Sequence, residues 1–219
     1  EFRYLDLTKD DLQLILFLKR KKNHLYYIDD SPDKFYVMSN KNYQKNFALY
    51  VTSQGNKDEK KWKIFIAHKK NELLENFLIF KDYIVLETRK NGLPQIVCVD
   101  KKNKNKTYIK FKDPSYAAFL TSSSSEYEST SFKYGYSSLS TPLTIYSCNF
   151  LSGKKKRLWQ EKFNNFKETG YETKRIIIKA RDGGKIPVSL IHKKGINLKS
   201  APLLMYGYGS YGSIIDASF

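Results

Sequence analysis

The 219-residue chain carries 39 Lys and Arg against 22 Asp and Glu, a formal charge of +17, with 41% hydrophobic and 15% aromatic residues. That balance supports a packed core and excludes a disordered chain, and 17 Tyr and 14 Phe against 6 Pro and 11 Gly suit strands, whose half-buried pleat accommodates aromatic side chains. The charge raises nucleic acid or an anionic membrane as a partner, but the lysines stand singly and in pairs and arginine, the better bidentate group, is scarce, so solvated faces are expected, with no nucleic-acid and no membrane partner.

From about residue 12 to 160 the pattern is short apolar or aromatic runs between polar turns. Strands are predicted over 12–20, 24–29, 34–40, 47–53, 62–68, 74–89, 94–100, 107–111 and 143–150. Several alternate with period two, as in KFYV and WKIFI, the signature of a strand with one buried face. Turn chemistry fills the gaps: DDSPD at 29–33, QGNKDEKK at 54–61, RKNGLP at 89–94 and DKKNKNK at 100–106. A loose recurrence of strand, polar turn and strand every 40–50 residues has the length of a propeller blade, without a sharp motif repeated in each. The serine-rich stretch at 121–138 has linker composition, but Tyr127, Phe132, Tyr134 and Tyr136 within it predict order.

The character changes near residue 165. Three stronger strands are predicted at 175–180, 185–193 and 201–209, the first two joined by the tight turn RDGG. The third is a continuous apolar run that empties into glycines, as expected of a strand buried on both faces. Cys98 and Cys148 lie fifty residues apart and predict neither a disulfide framework nor a zinc knuckle. His24, His68 and His192 stand apart from other ligand types, so no metal and no other cofactor is expected. No run of 18 apolar residues and no leader pattern occurs, and a cytoplasmic location is expected. The chain opens on Glu1 rather than Met, as an internal piece of something longer would.

The order YETKRIIIKARDGGKIPVSLIHKKG, a short spacer, then APLLMYGYGSYGSIID resembles the start of the catalytic domain in the prolyl oligopeptidase family of serine peptidases. YGYGSYG, rather than YGYGGF, points to the family's oligopeptidase B (protease II) branch, and FKYGYSSLSTPLTIY at 132–146 resembles that branch near the end of its propeller. The resemblance implies a mainly β chain: the last three or so blades of a seven-bladed β-propeller over residues 1–165, then the first strands of an α/β-hydrolase domain over 166–219. It also implies serine endopeptidase chemistry by a Ser-Asp-His triad, with short peptides, cleaved after Lys or Arg, as substrates.

Tyr208 matches the position whose hydroxyl serves the oxyanion hole, and Gly207 and Gly209 would shape the loop that aims it; on spacing alone Tyr208 is equally a turn aromatic packed on a sheet edge. Asp216 matches the first acid of an Asp-x-Asp pair that binds a basic substrate side chain in the branch, while Ser218 stands where the second acid would be. A solvated helix-start aspartate is the other reading of Asp216. No G-x-S-x-G elbow occurs in the 219 residues, so the chain is expected to lack the triad, to be inactive alone, and to need a missing C-terminal catalytic portion as partner. The alternative is an inactive remnant, or a propeller fragment acting as a binding surface.

Overall fold

The computed structural model describes residues 1–56, 58–121 and 126–219, so the serines at 122–125 lie outside the described residues. Strands β1 (Arg3–Tyr4) and β2 (Ile15–Leu16) form a short ladder at the start. Three four-stranded antiparallel sheets follow among the described residues, each a meander in which consecutive strands pair. The first holds β3 (Tyr26–Ser31), β4 (Lys34–Ser39), β5 (Ala48–Ser53) and β6 (Lys63–Ile66). The second holds β7 (Glu72–Ile79), β8 (Tyr83–Lys90), β9 (Leu93–Asp100) and β10 (Lys106–Tyr108). The third holds β11 (Ala117–Leu120), β12 (Ser131–Ser138), β13 (Thr141–Asn149) and β14 (Lys155–Gln160). Their first strands begin at Tyr26, Glu72 and Ala117, a repeat of about 45 residues, within the range of propeller blades.

Period-two alternation stacks the sheets. On β4, Tyr36 and Met38 face the second sheet, while Phe35 and Val37 face the opposite way, toward Phe17 and Trp62. On the second sheet, Ile84, Leu86, Val97 and Val99 pack toward the first, and Val85, Ile96 and Cys98 pack toward Phe132, Tyr134 and Cys148 of the third. The second sheet is therefore buried on both faces, and its strands combine alternation in direction with near-continuous apolar sequence. Cys98 and Cys148 are free thiols in the layer between the second and third sheets, as small hydrophobes.

The turns follow local chemistry. Asn91 and Gly92, with φ of 52° and 74°, close the two-residue hairpin between β8 and β9, the conformation Asn-Gly favours. In the third sheet Gly135 on β12 lies opposite Phe119, whose ring covers the place where a Cβ would stand. After the sheets, β15 (Tyr171–Lys179) and β16 (Lys185–Lys193) form a long hairpin closed by RDGG, with Ala180 N–H donating to the Gly184 carbonyl at 2.7 Å. Among the described residues no helix is long and apolar enough to cross a membrane.

Several predicted strands are corrected. The run 12–20 contributes only Ile15–Leu16: Leu12 and Leu14 stand in solvent, while Phe17 and Leu18 pack against the first sheet outside any strand. The run 74–89 is two strands, folded back at 80–82 where Phe80 is fully buried. Strands β11, β12 and β14 are present where none was predicted. The predicted strand at 201–209 is irregular chain without a ladder, because among the described residues no neighbouring strand offers it hydrogen bonds.

Candidate functional site

The glycine loop projects from the end of the chain. Leu203, Leu204, Met205 and Tyr206 are all strongly exposed, Leu204 at 92%, so the most apolar run of this region faces solvent. Tyr208 is half exposed, and among the described residues its hydroxyl has no hydrogen-bond partner. A Cβ added at Gly207 or Gly209 would meet nothing within 4 Å, and neither residue has positive φ. The sharp bend comes later, in the 3-10 turn Ser210–Gly212, where Tyr211 and Gly212 take φ of 57° and 73°. Gly212 is thus the residue whose conformation calls for glycine.

Beyond that turn the chain returns to the sheets. Asp216 takes Arg89 in a bidentate pair, with Nη1 donating to Oδ1 at 2.6 Å and Nη2 to Oδ2 at 2.8 Å. The third edge of the same guanidinium, Nε, donates to Glu75 Oε1 at 2.7 Å. Burial opposes the charge on Arg89, and the hydrogen bonds from Asp216 and Glu75 more than offset it, so its pKa is raised. Ala217 is buried, the Phe219 N–H donates to Ser137 Oγ at 3.0 Å, and the Phe219 ring lies 4.8 Å from that of Phe163 and 4.7 Å from that of Phe166.

Local structure explains the acceptor geometry. In the β7–β8 ladder Leu74 faces Thr88 and Asn76 faces Glu87, which leaves Glu75 as the extra residue of a bulge. A bulge breaks the alternation of side chains, and here it turns the Glu75 carboxylate toward Arg89 on β8. Glu87, nearby on β8, accepts the Leu120 N–H at 3.0 Å and thereby ties the second sheet to the third. Burial raises the Glu87 carboxyl above the usual carboxylate range, with Glu75 and Asp216 adding to the effect.

The β15–β16 hairpin is held on the same side. Arg175 donates to the Asn91 carbonyl, and Gly92 leaves room for both the Arg175 guanidinium and the Pro187 ring. His192, on β16, has Nε2 3.8 Å from Glu172 and Nδ1 3.0 Å from its neighbour's carbonyl. The structure therefore brings Asp216 and Glu75 onto the same guanidinium of Arg89, and leaves Tyr208 half exposed between Gly207 and Gly209, which stand in open space. Sequence reasoning missed Arg89 and Glu75, since nothing local links residues 89 and 216.

Residues 1–161 match the family described as "Prolyl oligopeptidase, N-terminal beta-propeller domain". Dipeptidyl aminopeptidase BI of Pseudoxanthomonas mexicana is 30% identical over 202 residues, covering 91% of this chain and 28% of that protein. Protease 2 of Moraxella lacunata is 26% identical over 221 residues, covering 100% of this chain and 31% of that one. Among solved structures, oligopeptidase B from Trypanosoma brucei with covalently bound antipain, in a closed form, superposes with a TM-score of 0.85 at 26% identity, covering 98% of this chain and 31% of that one. Oligopeptidase B from Leishmania major gives a TM-score of 0.88 at 24% identity over 99% of this chain and 32% of that one, a likeness of fold. The chain spans under a third of the length of each of these relatives.

Proposed function

The chain belongs to the prolyl oligopeptidase N-terminal β-propeller family, and from that premise we propose that it is part of a serine-type oligopeptidase that hydrolyses short peptides after basic residues. Its three stacked sheets are the late blades of a seven-bladed propeller that restricts access to short, unfolded peptides. Residues 166–219 are the first strands of the α/β-hydrolase domain, and the Ser-Asp-His triad is supplied by a C-terminal catalytic portion that acts as this chain's partner. Two buried, unpaired thiols suit the reducing cytoplasm, where we place the protein.

The observation that carries this reading is the bare apolar surface after residue 171. Ile176, Ile177, Ile178 and Ile186 of the hairpin and the run at 203–206 are each exposed, more apolar side chain than a finished domain leaves in water. A parallel sheet continued on this hairpin, with 203–206 as its next strand, would cover them.

In the mechanism the serine attacks the scissile carbonyl and the histidine shuttles its proton. The Tyr208 hydroxyl, half exposed and without a hydrogen-bond partner among the described residues, donates to the oxyanion as negative charge develops there, a donation worth about 2.7–4 kcal/mol in the transition state. Gly207 and Gly209, flanked by open space, keep side chains away from the carbonyl on either side of Tyr208. The test is to combine the chain with a C-terminal portion that carries the triad and follow cleavage of a short arginyl peptide. Hydrolysis is expected only from the complex; a stable complex without hydrolysis overturns the reading in favour of a non-catalytic propeller fragment.

A further inference from the structure

The resemblance assigns Asp216 to a substrate's basic side chain, yet in the structure both of its carboxylate oxygens are already taken by a guanidinium from within the chain. We propose that Arg89 is a positioning residue: held by the bulged Glu75, it clamps Asp216, docks residues 216–219 onto the second and third sheets, and withholds that carboxylate from incoming cations.

Three features support the clamp. The guanidinium is oriented before Asp216 arrives, because Glu75 Oε1 fixes Nε and leaves the Nη1–Nη2 edge facing outward, the edge whose spacing matches a carboxylate. Arg89 is largely buried, with its side chain 12% exposed, so the pair is screened much less than a surface ion pair. The docking is also sharply bounded. Leu203 to Ile215 are exposed, whereas the next residues carry Asp216 on Arg89, buried Ala217, and Phe219 on Ser137, Phe163 and Phe166.

A substrate guanidinium or ammonium would need the lone pairs that Arg89 occupies, and would have to displace a planar fork already bonded on three nitrogens. Arg89 therefore acts through Asp216 in two ways. It anchors the far end of the loop that bears Tyr208, and it weakens the preference for a basic side chain that a free Asp216 would confer. The second consequence rests on the peptidase reading; the docking does not.

Hydrogen exchange of the full 219-residue chain tests the docking without requiring activity. Asp216→Asn and Arg89→Met should each make amides at 216–219, Phe219 above all, exchange roughly tenfold to a hundredfold faster, with β9 and β13 unchanged, and Arg89→Lys, which cannot hold both carboxylates, should fall between. Asp216→Asn lies outside the sheets and reports on the clamp even if Arg89→Met disturbs folding; unchanged exchange at 216–219 in Asp216→Asn overturns the proposal. For the second consequence, N-acetylargininamide titrated to millimolar concentration into the wild-type chain should leave the Asp216 carboxyl carbon resonance in place. A saturable shift would overturn the claim that Arg89 withholds it. Failure of the peptidase to assemble would leave both measurements standing.

Discussion

Leu86 offers the most direct quantitative probe of the stacked sheets. It sits on β8, 2% exposed, in the layer between the first and second sheets, beside Tyr36, Met38, Leu49, Ile84 and Val97. Leu86→Ala removes three carbons from a site closed on both sides by β-sheet, which cannot collapse to fill the gap. The lost transfer free energy is about 0.8 kcal/mol for each buried methylene, and the residual cavity brings the total to about 3–4 kcal/mol. Urea unfolding measures it: with an m-value of about 2 kcal/mol/M, the midpoint should fall by roughly 1.5–2 M at constant m. Leu158→Ala, on the outer strand β14 and nearly half exposed, should shift it by no more than about 0.5 kcal/mol. Equal effects of the two substitutions, or a loss under about 1 kcal/mol for Leu86→Ala, would refute the packing of the second sheet against the first.

Other perturbations reach different parts of the structure. Gly92→Ala forces a side chain into φ of 74° and crowds Arg175, so the melting midpoint should reflect a loss of about 1–2 kcal/mol, while Gly207→Ala in open space costs well under that. Leu204→Lys at the exposed run should raise the soluble fraction after heating with stability unchanged within about 0.5 kcal/mol, by light scattering and circular dichroism. The Cys98 thiol is pushed by burial up to about 12, against 9.0 unfolded. Because the folded state favours the protonated thiol, its contribution is fully present below pH 9 and is lost as the unfolded thiol ionises between about pH 9 and 12. Stability should therefore fall by up to about 1.4 kcal/mol per pH unit in that window from this group, and Cys98→Ala should flatten the slope.

The parts of the fold legible in the sequence are those where local pattern and tertiary environment agree. KFYV alternates because Phe35 and Val37 enter one layer and Tyr36 the other, so the strand is buried on both faces rather than one, whereas WKIFI loses its alternation in the structure, with Ile64 in solvent and Phe65 and Ile66 against the same layer. RKNGLP and RDGG name their turns because Asn91, Gly92 and Gly183 take positive φ. Strand β14, Lys155–Gln160, escaped because an outer strand keeps its charges in water and shows little apolar signal. Strand β12 was hidden by its serines and by Gly135, whose missing side chain is supplied by Phe119 across the ladder. The turn at 80–82 escaped because Phe-Lys-Asp carries neither Gly nor Pro, and Phe80 is fully buried. Residues 201–209 were over-read, since apolar continuity describes a strand's preferred surroundings but cannot supply the neighbours that make it a strand.

For the candidate site, the sequence pattern located the glycine loop and Tyr208 but gave Asp216 no internal partner. The Arg89 clamp depends on a bulge at Glu75 and on a contact across 127 positions, neither of which leaves a local periodicity.

Tyr208→Phe, assayed in the complex that hydrolyses an arginyl peptide, tests the central claim most directly, because it removes one hydroxyl from a half-exposed ring and leaves the ring itself in place. The expected result is a fall in kcat of roughly 10²–10³-fold with KM and thermal midpoint unchanged. Turnover equal to wild type would contradict the assignment of this loop to the oxyanion hole.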